Sequence, residues 1–189
     1  MPQTLIPRVC EGARAMIFVD GENLAIRYQD GLSRRAPRPE VEHERDVFVW
    51  SSALHPPTTV GTPDVMRKYY YTAVRGDNDR IVEIEDKLKK LRFETPRVFK
   101  KEKEKGSKQV DISLATDMLV HATRKHYDVA VLVAGDEDYI PLVRAVQFEG
   151  ACVHIWFVSN GLSPKLRRVA DYFVDLDEFL LPVVGTDRG

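Results

Sequence analysis

Apolar residues in this chain fall into short compact runs, separated by stretches in which they recur every three or four positions. Ala15 to Asp20 (AMIFVD), Val129 to Ala134 (VAVLVA) and Ala151 to Val158 (ACVHIWFV) are runs of the first kind. Runs this short, rich in β-branched residues and closed by a turn signal, predict strands buried on both faces of a parallel sheet. Val65 to Val74 (VMRKYYYTAV), Thr95 to Phe99 and Tyr172 to Leu176 predict three more strands. Among the periodic stretches, Ile81, Ile84, Leu88 and Leu91 share one face of a helix over about 78–92. Val110 to His126 predicts a long helix, and a helix begins over Leu24 to Tyr28. Ile140 to Phe148 predicts another, with Pro141 tolerated in its first turn and Gly150 as its terminator. A short helix is expected from Ser163 to Ala170. Val47, Trp50, Ser51 and Leu54 recur at helical spacing and predict a helix over 41–54. Strands alternating with helices, without internal repeats, predict an α/β three-layer sandwich around a central, mostly parallel sheet.

Composition sets the limits of this picture. The 189 residues suggest one domain, spanning 15–181, between an N-terminal arm over 1–14 and a tail over 182–189. Within it, 30–64 reads as an elaboration bearing proline-rich and basic loops. With 43% apolar and 30% charged residues, the chain can bury a core and remain soluble. A net charge of −1 means that any anionic partner must be met by local basic patches. The two cysteines, Cys10 and Cys152, are far apart, there is no spanning apolar run, and the first residues lack a signal-peptide core. A cytoplasmic protein is the resulting expectation. The five scattered histidines and the absence of a Cys-x-x-Cys pair argue against zinc.

The candidate chemistry lies where strands end. Asp20 closes the first strand, and Val133-Ala134-Gly135 delivers Asp136, Glu137 and Asp138 at the end of a later one. In open α/β sheets, ligands bind outside the carboxyl ends of the strands. A lone Asp there is usually a turn or cap residue, and Asp138 could simply cap the next helix. Two strand ends bearing carboxylates make a pocket instead. Asp111 is expected in the first turn of its helix, on an inward stripe with Ala115, Met118 and Ala122. Unpaired carboxylates are costly in such a place, although a first-turn Asp also complements the helix dipole. Asp117 sits about 120° further round the helix and ranks as a secondary member. Oxygen ligands without His or Cys select Mg²⁺ or Mn²⁺. Tyr69, Tyr70 and Tyr71 are expected to pack in the sheet rather than to stack on bases, and the charged run Lys100 to Lys108 is expected to be a solvated loop.

Together, Phe18-Val19-Asp20-Gly21-Glu22-Asn23, Lys108-Gln109-Val110-Asp111 with Leu114 and Asp117, and Gly135-Asp136-Glu137-Asp138-Tyr139 with Pro141-Leu142-Val143 resemble the NYN domain family. This is a group of PIN-like, LabA-like metal-dependent ribonucleases. The resemblance covers roughly 15–178 and implies a PIN-like fold. It further implies metal-binding roles for Asp20, Asp111, Asp136 and Asp138, a ligand-orienting role for Asn23 and a supporting one for Asp117. Gln109, Ala134 and Tyr139 depart from the family's usual Gly, Ser and Phe without removing a carboxylate.

The resulting expectation is hydrolysis of RNA phosphodiesters by a water activated on carboxylate-bound Mg²⁺ or Mn²⁺. Arg75, Lys105, Lys108, Lys165, Arg167 and Arg168, with Lys100, Lys101 and Lys103, are candidates for phosphate contacts. The expected partner is RNA, single-stranded or structured, met by a monomer or by a homodimer that frames it; no membrane partner is expected. One alternative is an RNA- or protein-binding regulatory module with negligible turnover. Another is a phosphatase of the haloacid-dehalogenase type, whose first motif would need an Asp where Glu22 stands. In this reading Asp136 is the direct ligand, Asp138 caps the helix while completing the cluster, and Glu137 faces solvent.

Overall fold

A computed structural model describes residues 12–32, 36–52, 54, 63–101 and 106–182. Its centre is a six-stranded sheet in which every neighbouring pair runs parallel. The chain proceeds through β1 (Arg14–Asp20), α1 (Gly21–Leu32), β2 (Val41–Glu44), β3 (Phe48–Ser51), β4 (Asp64–Val74) and α2 (Asn78–Lys90). It continues through β5 (Thr95–Lys100), α3 (Gly106–Thr123), β6 (Val129–Val133), a 3-10 turn (Glu137–Tyr139) and α4 (Ile140–Phe148). β7 (Cys152–Phe157), α5 (Pro164–Val169), β8 (Tyr172–Asp175) and α6 (Asp177–Leu180) complete it. The strand order is β5-β4-β1-β6-β7-β8.

Alternation along each strand feeds two cores. Ile17, Val19, Tyr70, Val131 and Val133 pack on one face with α1, α2 and α6, through Leu24, Ile84 and Leu180. Phe18, Tyr69, Tyr71, Ala130 and Leu132 pack on the other with α3, α4 and α5, through Leu114, Val143 and Leu166. Such two-sided burial is why these strands read as unbroken apolar runs. The three-layer architecture expected from the sequence is therefore present. It also fixes the topology around β1. The chain leaves β1 into α1 on the first face and leaves the adjacent β6 into α4 on the second. The crevice between their carboxyl ends is the switch point at which open α/β sheets place ligands.

The expectation of a helix over 41–54 is overturned. Residues 41–51 form an antiparallel hairpin, β2 with β3, turning at Asp46 with φ +58. All four residues of β3 are buried, so no helical face exists to be satisfied. Tertiary bonds decide the matter. The buried Tyr70 hydroxyl accepts from the Val49 amide at 3.0 Å and donates to its carbonyl at 3.2 Å. The Thr72 hydroxyl donates to Val47 O at 2.5 Å. β4 thus takes over backbone groups that an isolated helix would have satisfied within itself.

Two smaller differences bear on the site. α3 begins at Gly106, ahead of the expected start, which moves Asp111 into the second turn. Its sheet-facing row is Val110, Leu114, Met118 and Ala122, and Asp111 stands beside that row, exposed. α6 was not foreseen; its Leu180 seals the first core. The tyrosines are buried sheet residues as expected, with Phe18 stacked on Tyr69 at 5.3 Å. Among the described residues, no helix is long and apolar enough to cross a membrane.

Gly21, at the junction of β1 and α1, shows how tightly this end is packed. A Cβ there would lie 2.7 Å from Cζ of Tyr70, whose ring is buried and anchored through its hydroxyl. Gly21→Ala should lower stability by about 1–3 kcal/mol or more, the range for overpacking. Urea unfolding monitored by circular dichroism measures it, and an unchanged midpoint would contradict the packing described.

Candidate active site

A cavity of about 760 Å³ opens at the switch point. It is lined by Asp20, Glu22, Asn23, Asp111, Asp136 and Asp138. These come from the end of β1, the first turn of α1, the second turn of α3 and the segment after β6. Aliphatic side chains line it as well, among them Ile26, Ile112, Leu119 and Pro141. Among the described residues, no Lys or Arg lines it.

Asp20 is the deepest of the acids, 4% exposed. Its Oδ1 accepts from the Asn23 amide at 3.2 Å and its Oδ2 from the Tyr139 hydroxyl at 3.1 Å. Burial raises its pKa to about 7; the Asn23 bond opposes this and the nearby charge of Asp111 adds to it. Asp111, exposed but with its carboxyl turned into the cavity, is also raised, first by partial loss of water and further by the charges of Asp136, Glu22 and Asp138, while its bond from Tyr139 opposes the rise. Mutual repulsion of this kind shows that the acids share one electrostatic site. Glu22 Oε1 is paired with Lys101, whereas Glu22 Oε2 and Asn23 Oδ1 are buried without a hydrogen-bond partner. Buried acceptors in that condition are uncommon and point to a missing donor or cation.

The segment after β6 divides its work differently from the expectation. Gly135 is required because a Cβ there would run into the Phe157 ring and the carbonyl of Gly161. Asp136 caps the 3-10 turn, its Oδ1 accepting from the Asp138 amide at 3.1 Å. Asp138, expected to be the cap, makes no capping bond, and α4 starts without a side-chain cap. Glu137 is exposed, as expected, and is tied to Lys165 at 3.1 Å and Ser163 at 3.2 Å. Asp117 is held outside this cavity, accepting from Tyr71 at 2.9 Å with Arg97 at 3.5 Å.

Tyr139 is the site residue that motif reading passed over. It is buried, and its hydroxyl lies 3.1 Å from Asp20 and 3.1 Å from Asp111. The signal was present as a tyrosine in place of the usual Phe. Lys101, which neutralises Glu22, lay hidden in a charged run. Among the phosphate-contact candidates, Lys165 is engaged with Glu137, and Arg167 lies 4.6 Å from the centre of the Phe173 ring. Arg75, Lys100, Lys108 and Arg168 are exposed, with Lys108 nearly one turn ahead of Asp111. Lys103 and Lys105 lie outside the described residues.

Among the described residues, no three His, Cys, Asp or Glu side chains are arranged so that they could already hold a metal ion. The cause is visible in the bonds. Asp20 and Asp111 share a phenol, and Asp136 turns back onto its own backbone. The donor set nevertheless fits a hard divalent cation. It is all oxygen, it carries mutually repelling carboxylates, and it includes two unpartnered buried acceptors.

Burial of Asp20 has a consequence for stability. Its pKa is higher folded than unfolded, so its charge leaves stability intact below about pH 4 and erodes it as pH rises toward 7. Asp20→Asn keeps the shape and removes the charge. In EDTA it should gain on the order of 2–4 kcal/mol above about pH 8, with the gain vanishing near pH 4. Thermal melts across pH measure this, and a pH-independent difference would contradict it.

The fold is that of a Vibrio parahaemolyticus protein of unknown function, whose crystal structure aligns with a TM-score of 0.64 at 21% identity, covering 90% of this chain and 98% of that one. The low amplitude and bright protein LabA of Synechococcus elongatus is 27% identical over 190 residues, covering 93% of this chain and 90% of LabA. The family model of the NYN domain matches residues 14–177, a stretch that contains both acidic strand ends and α3. The chain belongs to the NYN domain family, whose members are generally nucleases.

Proposed function

We propose that this protein is a divalent-cation-dependent ribonuclease. The observation that carries the reading is the convergence of Asp20, Asp111, Asp136 and Asp138 on one cavity at the switch point, with Asp20 buried and its pKa raised to about 7. Perturbed carboxylates in a cleft mark functional sites.

Asp20, Asp111, Asp136 and Asp138 would hold Mg²⁺ or Mn²⁺. When bound, one or two such ions supply an acidified water and neutralise charge on the phosphodiester. The chain's own groups do the rest. Asn23 Oδ1 offers an acceptor to orient a water or a ribose hydroxyl. Lys101 offsets Glu22 and so limits the negative charge that a phosphate meets on entering. Lys108, Arg75 and Arg168 are exposed and available to backbone phosphates. Lys165 and Arg167 would first have to leave Glu137 and Phe173. RNA as the substrate rests on the family resemblance.

A second reading, a binding module with negligible turnover, draws support from one fact. Among the described residues no metal-holding triad is already formed. Activity separates the two readings. Asp136→Asn retains the capping oxygen, so its melting temperature should match the parent's. Its cleavage of single-stranded RNA with Mn²⁺ should fall at least about 100-fold, beyond the loss typical of an outer-shell residue. EDTA should stop the parent protein. Undiminished cleavage by the variant, or full activity in EDTA, refutes the nuclease proposal, and RNA binding without cleavage selects the module.

A further inference from the structure

The Tyr139 ring is buried in the second core, and its hydroxyl faces two carboxylates. It lies at a junction of three segments: the turn ahead of α4 that carries it, the end of β1 through Asp20, and α3 through Asp111. We propose that Tyr139 is a positioning residue, whose hydroxyl sets where the carboxylates of Asp20 and Asp111 stand and thereby how tightly the site takes a divalent cation. This rests on the cation-dependent reading above.

The phenol is a donor here. Its hydroxyl faces Asp20 Oδ2 and Asp111 Oδ1, and an ionised carboxylate can only accept. A phenol has one proton, and two carboxylates compete for it. Both distances are 3.1 Å, longer than the roughly 2.5–2.7 Å of an undivided hydroxyl–carboxylate bond. The hydroxyl therefore stands within reach of both carboxylates and is held closely by neither.

The two acceptors depend on it unequally. Asp20 has a second anchor in the Asn23 amide and is enclosed by the core. Asp111 is exposed, and among the described residues its carboxylate has no hydrogen-bond partner other than Tyr139. It also feels the charges of Asp136, Glu22 and Asp138. Without the hydroxyl, repulsion and solvation would together draw Asp111 away from Asp20. With it, the like charges stay in register before any cation arrives. Each bonded oxygen keeps a second lone pair for a ligand bond, so the phenol orients the carboxylates without using them up. Groups that hold metal ligands in this way typically account for about 10–100-fold in affinity.

Tyr139→Phe tests this by removing one oxygen and retaining the ring. Mn²⁺ binding to the full chain is followed by the paramagnetic resonance signal of the free ion, and melting is followed in EDTA. The variant should bind Mn²⁺ about 10–100-fold more weakly, melt cooperatively close to the parent temperature, and recover RNA cleavage as Mn²⁺ is raised. A purely structural role would lower the melt and would not be rescued by cation. Equal or tighter Mn²⁺ binding by the variant overturns the positioning role and leaves the nuclease reading standing. Loss of cooperative melting assigns the hydroxyl to the fold and also overturns it. A parent protein that binds no Mn²⁺ refutes the cation-dependent reading itself.

Discussion

A single buried carboxylate governs this molecule. Asp20 ends the central strand, enclosed by both cores and by α1, in a place where ionisation is opposed by loss of water. Its surroundings are organised around that stress. The first turn of α1 offers a backbone amide, Tyr139 offers a hydroxyl, and Gly21 lets the chain turn sharply against Tyr70. The two hydrogen bonds oppose that cost without removing it, and the pKa of Asp20 stays raised to about 7.

The neighbouring acids reinforce the same conclusion. Asp111 is raised by burial and by three further carboxylates, while Glu22 is held by Lys101. Tyr139 bonds the carboxylates of Asp20 and Asp111, the Asn23 amide bonds Asp20, and the Asp138 amide bonds Asp136. A phenol and two amides carry no charge, so these bonds orient the cluster without neutralising it.

The hairpin β2–β3 illustrates a different kind of dependence. It carries no site residue, yet it is fastened to β4 through Tyr70 and Thr72, and Tyr70 in turn packs against Gly21 at the root of α1. The elaboration between the first helix and β4 thus buttresses the floor of the site from the opposite face of the sheet. Its helical spacing of Val47, Trp50, Ser51 and Leu54 was misleading because every residue of β3 is buried. Periodicity is informative only where one side of an element faces water.

Much of the fold was already legible along the chain. Strands buried on both faces announce themselves as unbroken Val- and Ile-rich runs, and amphipathic helices as three-four spacings, because water contacts one and not the other. The ordered acidic motifs likewise brought Asp20, Asp111, Asp136 and Asp138 together by resemblance. Three things were decided only in three dimensions. The hairpin was set by bonds from β4, the cap passed from Asp138 to Asp136, and Asp117 was drawn to Tyr71 and Arg97 outside the cavity. For Tyr139 the sequence offered only a tyrosine in place of the usual Phe, and that its hydroxyl meets two carboxylates was decided by the fold. Local sequence determines which residues are buried. Which polar atoms then meet depends on strand order and helix register, and these bring Asp20 to Tyr139 across 119 positions of chain.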